Sequence, residues 1–247
     1  MLIGDAFILA GFVTFFVWLG PHVRIISPPS HTIQFLLAIV IGDFLGYWHH
    51  RLMHRIPWLW ASHSVHHQSR AIELSTGLRN HPFATISSGL FWSPLLLLGI
   101  SPAIMLAAVS AIGTWVILIH RQDSKRYPRV PKPLNYLLNL PGHHRSHHQR
   151  KLSAGNCNYG LLFIAWDRLF GTYSPPVSIP IAYGIDDAPA TGKVSTLLWY
   201  EWRRLICIKV SPLGATPPIT FNSGLLAYGA AVLLLAAVGT TFSIMRG

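Results

Sequence analysis

The sequence predicts an all-α integral membrane protein: four or five transmembrane helices, paired as hairpins and closed on the cytoplasmic side by a cap of shorter helices, in a single domain. Three observations carry this. Of 247 residues, 51% are hydrophobic and only 11% are charged, against about 25% charged in an ordinary soluble domain. The apolar residues gather in runs that approach spanning length. The few charges are one-sided, 19 Lys and Arg against 8 Asp and Glu, for a net charge of +11. So basic a balance would suggest nucleic acid in a polar chain, but a mean hydropathy of +0.41 and nine tryptophans point to a bilayer, where basic loops set orientation. Intrinsic disorder and collagen-like repeats are excluded by the same figures. The two cysteines, Cys157 and Cys207, cannot build a disulfide framework.

A hydrocarbon core about 30 Å thick needs roughly 20 apolar residues, and runs at 6–19, 33–48, 83–100 and 102–119 approach that length. The first has the length of a signal peptide. Residues 1–5 hold no Lys or Arg, however, and no cleavage site leads into a hydrophilic domain, so a retained helix is expected. Pro21, Pro28 and Pro29 separate the first pair of runs, and Gly99, Ser101 and Pro102 the second, so each pair reads as a hairpin. A fifth run at 225–245 either spans or lies in the interface. Region 174–223 reads as loop with one amphipathic helix over 197–209. Its Trp199, Trp202, Ile206 and Lys209 suit a membrane surface as well as packing on the cap. Of the 19 Lys and Arg, only Arg24 and Arg246 lie outside the loop after the second run and the region 120–223. Both segments are therefore expected in the cytoplasm, with the N-terminus on the same side.

The 14 histidines are not scattered. His49-His50-Arg51-Leu52-Met53-His54 follows the second run, and Ser62-His63-Ser64-Val65-His66-His67 lies in the loop beyond it. His120 ends the fourth run, and His143-His144-Arg145-Ser146-His147-His148 comes later. On helices, His50 and His54 face one way, and His63, His66 and His67 share with His144, His147 and His148 the i, i+3, i+4 spacing. Imidazoles so stacked repel when protonated and waste a core when neutral, but they suit a first-row transition metal. A single such pair would read better as surface histidines at a basic membrane face. The full set, all on one side of the runs, does not. Nine imidazoles exceed the four ligands of a tetrahedral zinc, so two ions with four or five nitrogens each is the economical arrangement. A carboxylate-bridged bundle is excluded, because the only glutamates, Glu73 and Glu201, have no histidine three residues on. Nucleophile-elbow, Walker and dinucleotide motifs are absent, so reducing equivalents must come from outside the chain.

Certain runs have a further, collective likeness. They are Asp43 with Tyr47-Trp48-His49-His50-Arg51-Leu52-Met53-His54, Leu59-Trp60-Ala61-Ser62-His63, Val65-His66-His67, His144-Arg145-Ser146-His147-His148, Asn158-Tyr159-Gly160 and Trp166-Asp167-Arg168-Leu169-Phe170-Gly171-Thr172-Tyr173. Together, over residues 42–173, they resemble the fatty acid hydroxylase and sterol desaturase superfamily of membrane di-iron oxygenases. The resemblance implies two iron ions held by His50, His54, His63, His66, His67, His120, His144, His147 and His148. The superfamily often has a second histidine soon after the one matching His120, where this chain has Gln122, Asp123 and Ser124. Either one metal keeps an open or water-filled position, or His81 supplies a tenth nitrogen. His49 and His143 point about 100° off the ligand face, and His22 and His31 lie in the opposite turn; all four are left out. Among side chains that would fix the imidazole tautomers, Asp43 leads, because an ionisable group inside an apolar run is costly. Glu73, Asn80 and Asp123 follow as residues that equally suit capping or solvent. Asp167 and Arg168 are expected to form a structural ion pair, and Trp58 and Trp60 to anchor the membrane interface.

The implied activity is O2-dependent hydroxylation of an unactivated C–H bond in a membrane lipid or isoprenoid (sterol, fatty acyl chain, alkyl ether or carotenoid). Electrons would come from a ferredoxin, a cytochrome b5-like carrier or a reduced pterin, and the basic loops offer an acidic carrier a docking surface. A desaturase would use the same site. More distant readings are a zinc hydrolase, which needs no O2, and a metal transporter, whose ligands would lie near the bilayer midplane. No nucleic acid partner is expected. Without a fused cytochrome b5 or a dilysine retrieval signal in the chain, a bacterial inner membrane is expected, with the active site facing the cytoplasm.

Overall fold

The computed structural model describes residues 2–121, 130–150, 156–176, 182–186, 188 and 193–207. Every regular element among them is helical: α1 (Leu2–Val23), α2 (His31–Met53), α3 (Pro57–His67), α4 (Pro82–Trp92), α5 (Pro102–Ile119), α6 (Lys132–Leu137), α7 (Pro141–His147), α8 (Ala165–Leu169) and α9 (Val194–Cys207). Turns of 3-10 helix lie at Leu74–Leu78 and Ser93–Leu96. Three helices are long and apolar enough to cross a membrane: α1 over Ala6–Val23, α2 and α5. At 1.5 Å per residue α2 is about 34 Å long and α5 about 27 Å, close to the hydrocarbon thickness.

Start signals explain the helix boundaries. The Ser30 hydroxyl accepts the Ile33 amide at 3.3 Å and the Ser101 hydroxyl the Ile104 amide at 3.4 Å, both capping the helix that follows. Proline opens α3, α4, α5 and α7, where its missing N–H costs nothing. The two hairpin turns meet at one end of the bundle. There the Ile25 amide donates to the Leu97 carbonyl at 2.8 Å and the Ser101 amide to Gln34 Oε1 at 3.1 Å. Gly99 takes a φ of +65° in that turn, and a Cβ on it would sit 2.0 Å from the Ile26 carbonyl oxygen, so only glycine fits.

The run at 83–100 does not form one helix of spanning length. Helix α4 stops after 11 residues, about 16 Å, because Pro94 cannot continue an α-helix and the chain tightens into the 3-10 turn. The run's second half is apolar because it is buried inside the protein: Leu95, Leu96, Leu98 and Ile100 join Phe16, Ala38, Leu45, Trp92, Met105, Ala108 and Ile112 in the core among α1, α2, α4 and α5, whereas Ile86 and Leu90 are exposed. Three candidate spans therefore stand among the described residues where four were expected in that region. The run at 225–245 lies outside the described residues.

Helix α9 covers Val194–Cys207, beginning three residues before the expected 197–209 and described as far as Cys207, with Lys209 outside the described residues; it packs along α3. Gln68 Nε2 donates to the Leu197 carbonyl at 3.1 Å, and Trp202 packs edge-on to Phe83. Of the two readings open for this helix, packing on the cap is the one observed. Below it, α3 folds back directly from α2, with Arg55 and Ile56 both donating to the Leu52 carbonyl. The C-terminal half of α2, the cap helices and the end of α5 thus meet at one level, where most of the buried histidines lie.

Candidate metal centre

All nine candidate ligands converge in the interior, each 8% exposed or less. They form two groups within which the ligand atoms lie within 4.8 Å of one another: His50, His54, His63, His67 and His147 in one, His66, His120, His144 and His148 in the other. Helix geometry explains the division. At about 100° per residue, positions i and i+4 diverge by about 40°, whereas i+3 lies about 60° to the other side. In α3 the i and i+4 residues, His63 and His67, join the five-histidine group while His66 joins the four. In α7 the i and i+4 residues, His144 and His148, join the four while His147 joins the five. Helix α2 adds His50 and His54, and His120 caps the end of α5.

Backbone carbonyls fix several of the rings. The Nδ1 of His50 meets the Tyr159 carbonyl at 2.8 Å, that of His66 the Thr76 carbonyl at 3.0 Å, that of His120 the Val116 carbonyl at 2.6 Å and that of His147 the Cys157 carbonyl at 2.8 Å. A carbonyl only accepts, so each of these rings carries its proton on Nδ1 and turns a lone pair on Nε2 inward. Yet the inward nitrogens are close: His66 and His120 Nε2 are 3.0 Å apart, His120 and His144 2.9 Å, and His50 and His63 3.1 Å. Between His66 and His120 neither nitrogen can donate. Both nitrogens of His54, His144 Nδ1 and His147 Nε2 are buried with no hydrogen-bond partner, a costly state for polar atoms.

The residues fit a metal ion. Nitrogens at 2.0–2.1 Å from a shared first-row ion stand about 3.0–3.4 Å apart, close to the spacing seen, and a cation relieves the lone-pair contacts together with two of the orphaned atoms, His147 Nε2 and one nitrogen of His54. Burial, and then the neighbouring imidazoles, push the pKa values of His54, His63, His66, His67, His144, His147 and His148 well below the ordinary histidine range. Burial takes His120 down to about 4. These imidazoles are neutral at pH 7, the state that coordinates.

Other expected residues lie elsewhere. His81 joins neither group: its Nδ1 accepts the Phe83 amide at 3.1 Å as the cap of α4, and its ring packs between Trp199 and Trp202. Asp43 reaches no imidazole. It accepts the Leu162 amide at 2.7 Å, the Phe163 amide at 3.1 Å and Trp166 Nε1 at 2.9 Å, so the buried carboxylate is satisfied by the loop ahead of α8. Glu73 is exposed and caps the 3-10 turn that presents the Thr76 carbonyl to His66. Asn80 donates to Thr85 Oγ1 at 3.0 Å. Asp123, with Gln122 and Ser124, lies outside the described residues.

No ion pair joins Asp167 and Arg168 among the described residues. Asp167 is buried and accepts the Tyr159 amide, the Gly160 amide and Thr172 Oγ1, each at 2.7 Å. Burial raises its carboxyl to about 6. Arg168 stacks over Tyr136 and Tyr173 instead. Off-face His49 bonds Ser87, and His143 Nδ1 accepts the Leu140 amide. Trp58 is half exposed against Phe83, whereas Trp60 walls the site, its ring 5.2 Å from that of His54 and 5.5 Å from that of His67. Its spacing three and seven residues before His63 and His67 places it on their helical face, a signal legible in the sequence.

A cavity of about 410 Å³ lies between α5 and the α7 side, lined by none of the nine ligand histidines. Trp115, Leu118 and Ile119 line it from α5, and Leu140, His143 and Arg145 from the α7 side. Its walls are thus next in sequence to His120 and His144.

A family model described as fatty acid hydroxylase matches residues 35–172. The chain is 36% identical over 172 residues to an alkylglycerol monooxygenase of Danio rerio, covering 68% of this chain and 37% of that one. It is 32% identical over 167 residues to the ornithine lipid hydroxylase OlsE of Rhizobium tropici, covering 66% and 49%. With a lathosterol oxidase of Mus musculus it shares 27% over 158 residues, covering 61% and 50%. The chain therefore spans between about a third and a half of the length of these relatives. No solved structure matches.

Proposed function

The chain belongs to the fatty acid hydroxylase family, and from that premise we propose that it is a di-iron, O2-dependent hydroxylase of a membrane lipid. The observation that carries this reading is the division of nine buried, neutral imidazoles into groups of five and four. His50, His54, His63, His67 and His147 would hold one iron, and His66, His120, His144 and His148 the other. Bound there, the ions supply O2 activation with electrons delivered from outside the chain.

The chain's own residues do the rest. The carbonyls of Tyr159, Thr76, Val116 and Cys157 orient four of the imidazoles, so that the ligand atoms are aimed in advance. Trp60 and Tyr159 shut water from the five-histidine side. The cavity between α5 and α7 takes an apolar segment of the substrate and brings one carbon towards the four-histidine side. The substrate class follows the relatives, whose names are those of enzymes acting on alkylglycerols, an ornithine lipid and a sterol. The histidine face lies in the cytoplasm, on the strength of the basic loops, and an acidic ferredoxin or cytochrome b5-like carrier, or a reduced pterin, supplies electrons.

The test is expression in a host supplied with defined lipids under isotopically labelled O2, with mass spectrometry of the products. A product that gains one labelled oxygen atom supports hydroxylation. Loss of two hydrogens without oxygen supports desaturation, the second reading, which the likeness to a protein named an oxidase favours. Product formed equally without O2 overturns both.

A further inference from the structure

Beyond the ligands, we propose that Asp167 is a positioning residue that tunes the five-histidine group through an intervening peptide bond. The inference rests on the di-metal reading. Tyr159 and Gly160 share one peptide unit. Its carbonyl accepts His50 Nδ1–H at 2.8 Å, and its N–H donates to Asp167 Oδ2 at 2.7 Å. The two bonds polarise the unit in the same sense: a carboxylate on the N–H makes the carbonyl a stronger acceptor. A stronger acceptor on Nδ1–H makes Nε2 a stronger donor to a metal, which is the role a carboxylate plays when it touches a ligand histidine directly. Here the carboxylate and the carbonyl act in series.

The rings of His147 and His120 lack this arrangement. The peptide that orients His147 has its N–H, on Asn158, bonded to the neutral Thr172 carbonyl at 3.0 Å, and His120 bonds within its own helix. Asp43 braces the same loop but takes the amides of Leu162 and Phe163, one of whose peptide units presents its carbonyl to the Asn139 amide rather than to a histidine. The loop is built for close approach. A Cβ on Gly160 would lie 2.2 Å from the Phe163 carbonyl oxygen and 3.0 Å from Asp167 Oδ2. Asn158 holds a φ of 55°, with its side chain bonded to the His143 and Ser174 carbonyls and to the Ser174 amide. Asp167 in turn takes Thr172 Oγ1, which is bonded to Tyr47 OH, and that hydroxyl accepts from Arg51.

The experiment uses the full chain in detergent, loaded with ferrous iron without O2. It reads iron per chain and the midpoint potential of each metal, followed by Mössbauer spectroscopy. In Asp167→Asn both metals stay, and one potential rises, by about 59 mV if the preference for the oxidised ion falls tenfold; the other potential is unmoved. Asp43→Asn, which loosens the same loop outside the relay, leaves both potentials where they were. Equal shifts in the two variants, or none in Asp167→Asn, overturn the relay while the di-metal reading stands. If Asp167→Asn loses metal or fold, Thr172→Val decides. Read at pH 8.5, where the carboxylate stays charged, removing the hydroxyl donor from Oδ1 leaves more of its charge to the Tyr159 and Gly160 amides, so the potential falls, and no fall overturns the proposal. Parent protein that holds no pair of metals overturns the di-metal reading, and the relay with it.

Discussion

Replacing Gly160 by alanine tests the loop that orients the five-histidine group. The new Cβ would lie 2.2 Å from the Phe163 carbonyl oxygen, where ordinary contact begins at 3.4 Å, so about 1.2 Å of movement is needed against backbone. If Gly160 moves away, the His50 Nδ1 to Tyr159 carbonyl distance, now 2.8 Å, lengthens towards a separation that is no longer a hydrogen bond. Overpacking of this kind costs about 1–3 kcal/mol, and a buried donor left without its acceptor costs about 1–3 kcal/mol more. Loss of a bond that orients a ligand histidine weakens metal binding roughly 10- to 100-fold. The assay is competition against a chelator for the bound metals, with thermal inactivation of the same sample. Gly113→Ala is the control: nothing lies within 4 Å of a Cβ there, and in α5 the change should stabilise by roughly 0.5–1 kcal/mol. If Gly160→Ala holds both metals with the parent affinity and inactivates no sooner, the reasoning about this loop is wrong.

Two ligand substitutions should separate the groups: His147→Ala takes metal from the five-histidine group and His148→Ala from the four, each lowering metal per chain and abolishing turnover. Metal analysis that still finds the full complement in either variant removes that histidine from the ligand set. The metal-free protein should lose stability as pH falls. Its buried histidines titrate below their unfolded value of 6.5, with His120 and His143 at about 4. The unfolded chain therefore takes up protons first, and stability present above pH 6.5 drains away towards pH 4. Asp167, raised to about 6, acts in the opposite sense but is one group against many. Melting that is flat between pH 8 and pH 5 contradicts this. Leu118→Trp, which fills part of the cavity beside α5, should leave the metals in place and lower kcat/KM at least about tenfold, the order of a lost apolar pocket contact; unchanged kinetics would move the substrate elsewhere.

The histidine pattern is legible in the sequence because it is written in helix periodicity. His50 with His54, and the two H-x-x-H-H sequences, define faces by spacing alone, and the assignment of i with i+4 to one group and i+3 to the other follows from the same angles. The apolar run at 83–100 misleads as to helix length because hydropathy does not distinguish lipid from protein interior, and Pro94 is the local sign that the helix stops short. Asp43 and Asp167 are conspicuous in the sequence, yet their partners are not. A carboxylate that holds backbone amides leaves no pattern, since any residue but proline supplies an N–H. His81 borders the correct face and so resembles a ligand, but Pro82 behind it marks a helix start, and the ring nitrogen serves as the cap. The carbonyls that orient the imidazoles belong to Tyr159, Cys157, Thr76 and Val116, whose side chains give no hint of the task.

Helices α3 and α7 each contribute to both histidine groups. A movement of either helix as a body therefore acts on both groups: a shift of α3 that opens the five-histidine group carries His66 away from His120. On the proposed two-metal reading, a first ion that fixes α3 and α7 would remove part of the ordering cost for the second. Loading is expected, on that reading, to be cooperative, with singly occupied protein scarce during assembly, since α3 and α7 serve both groups.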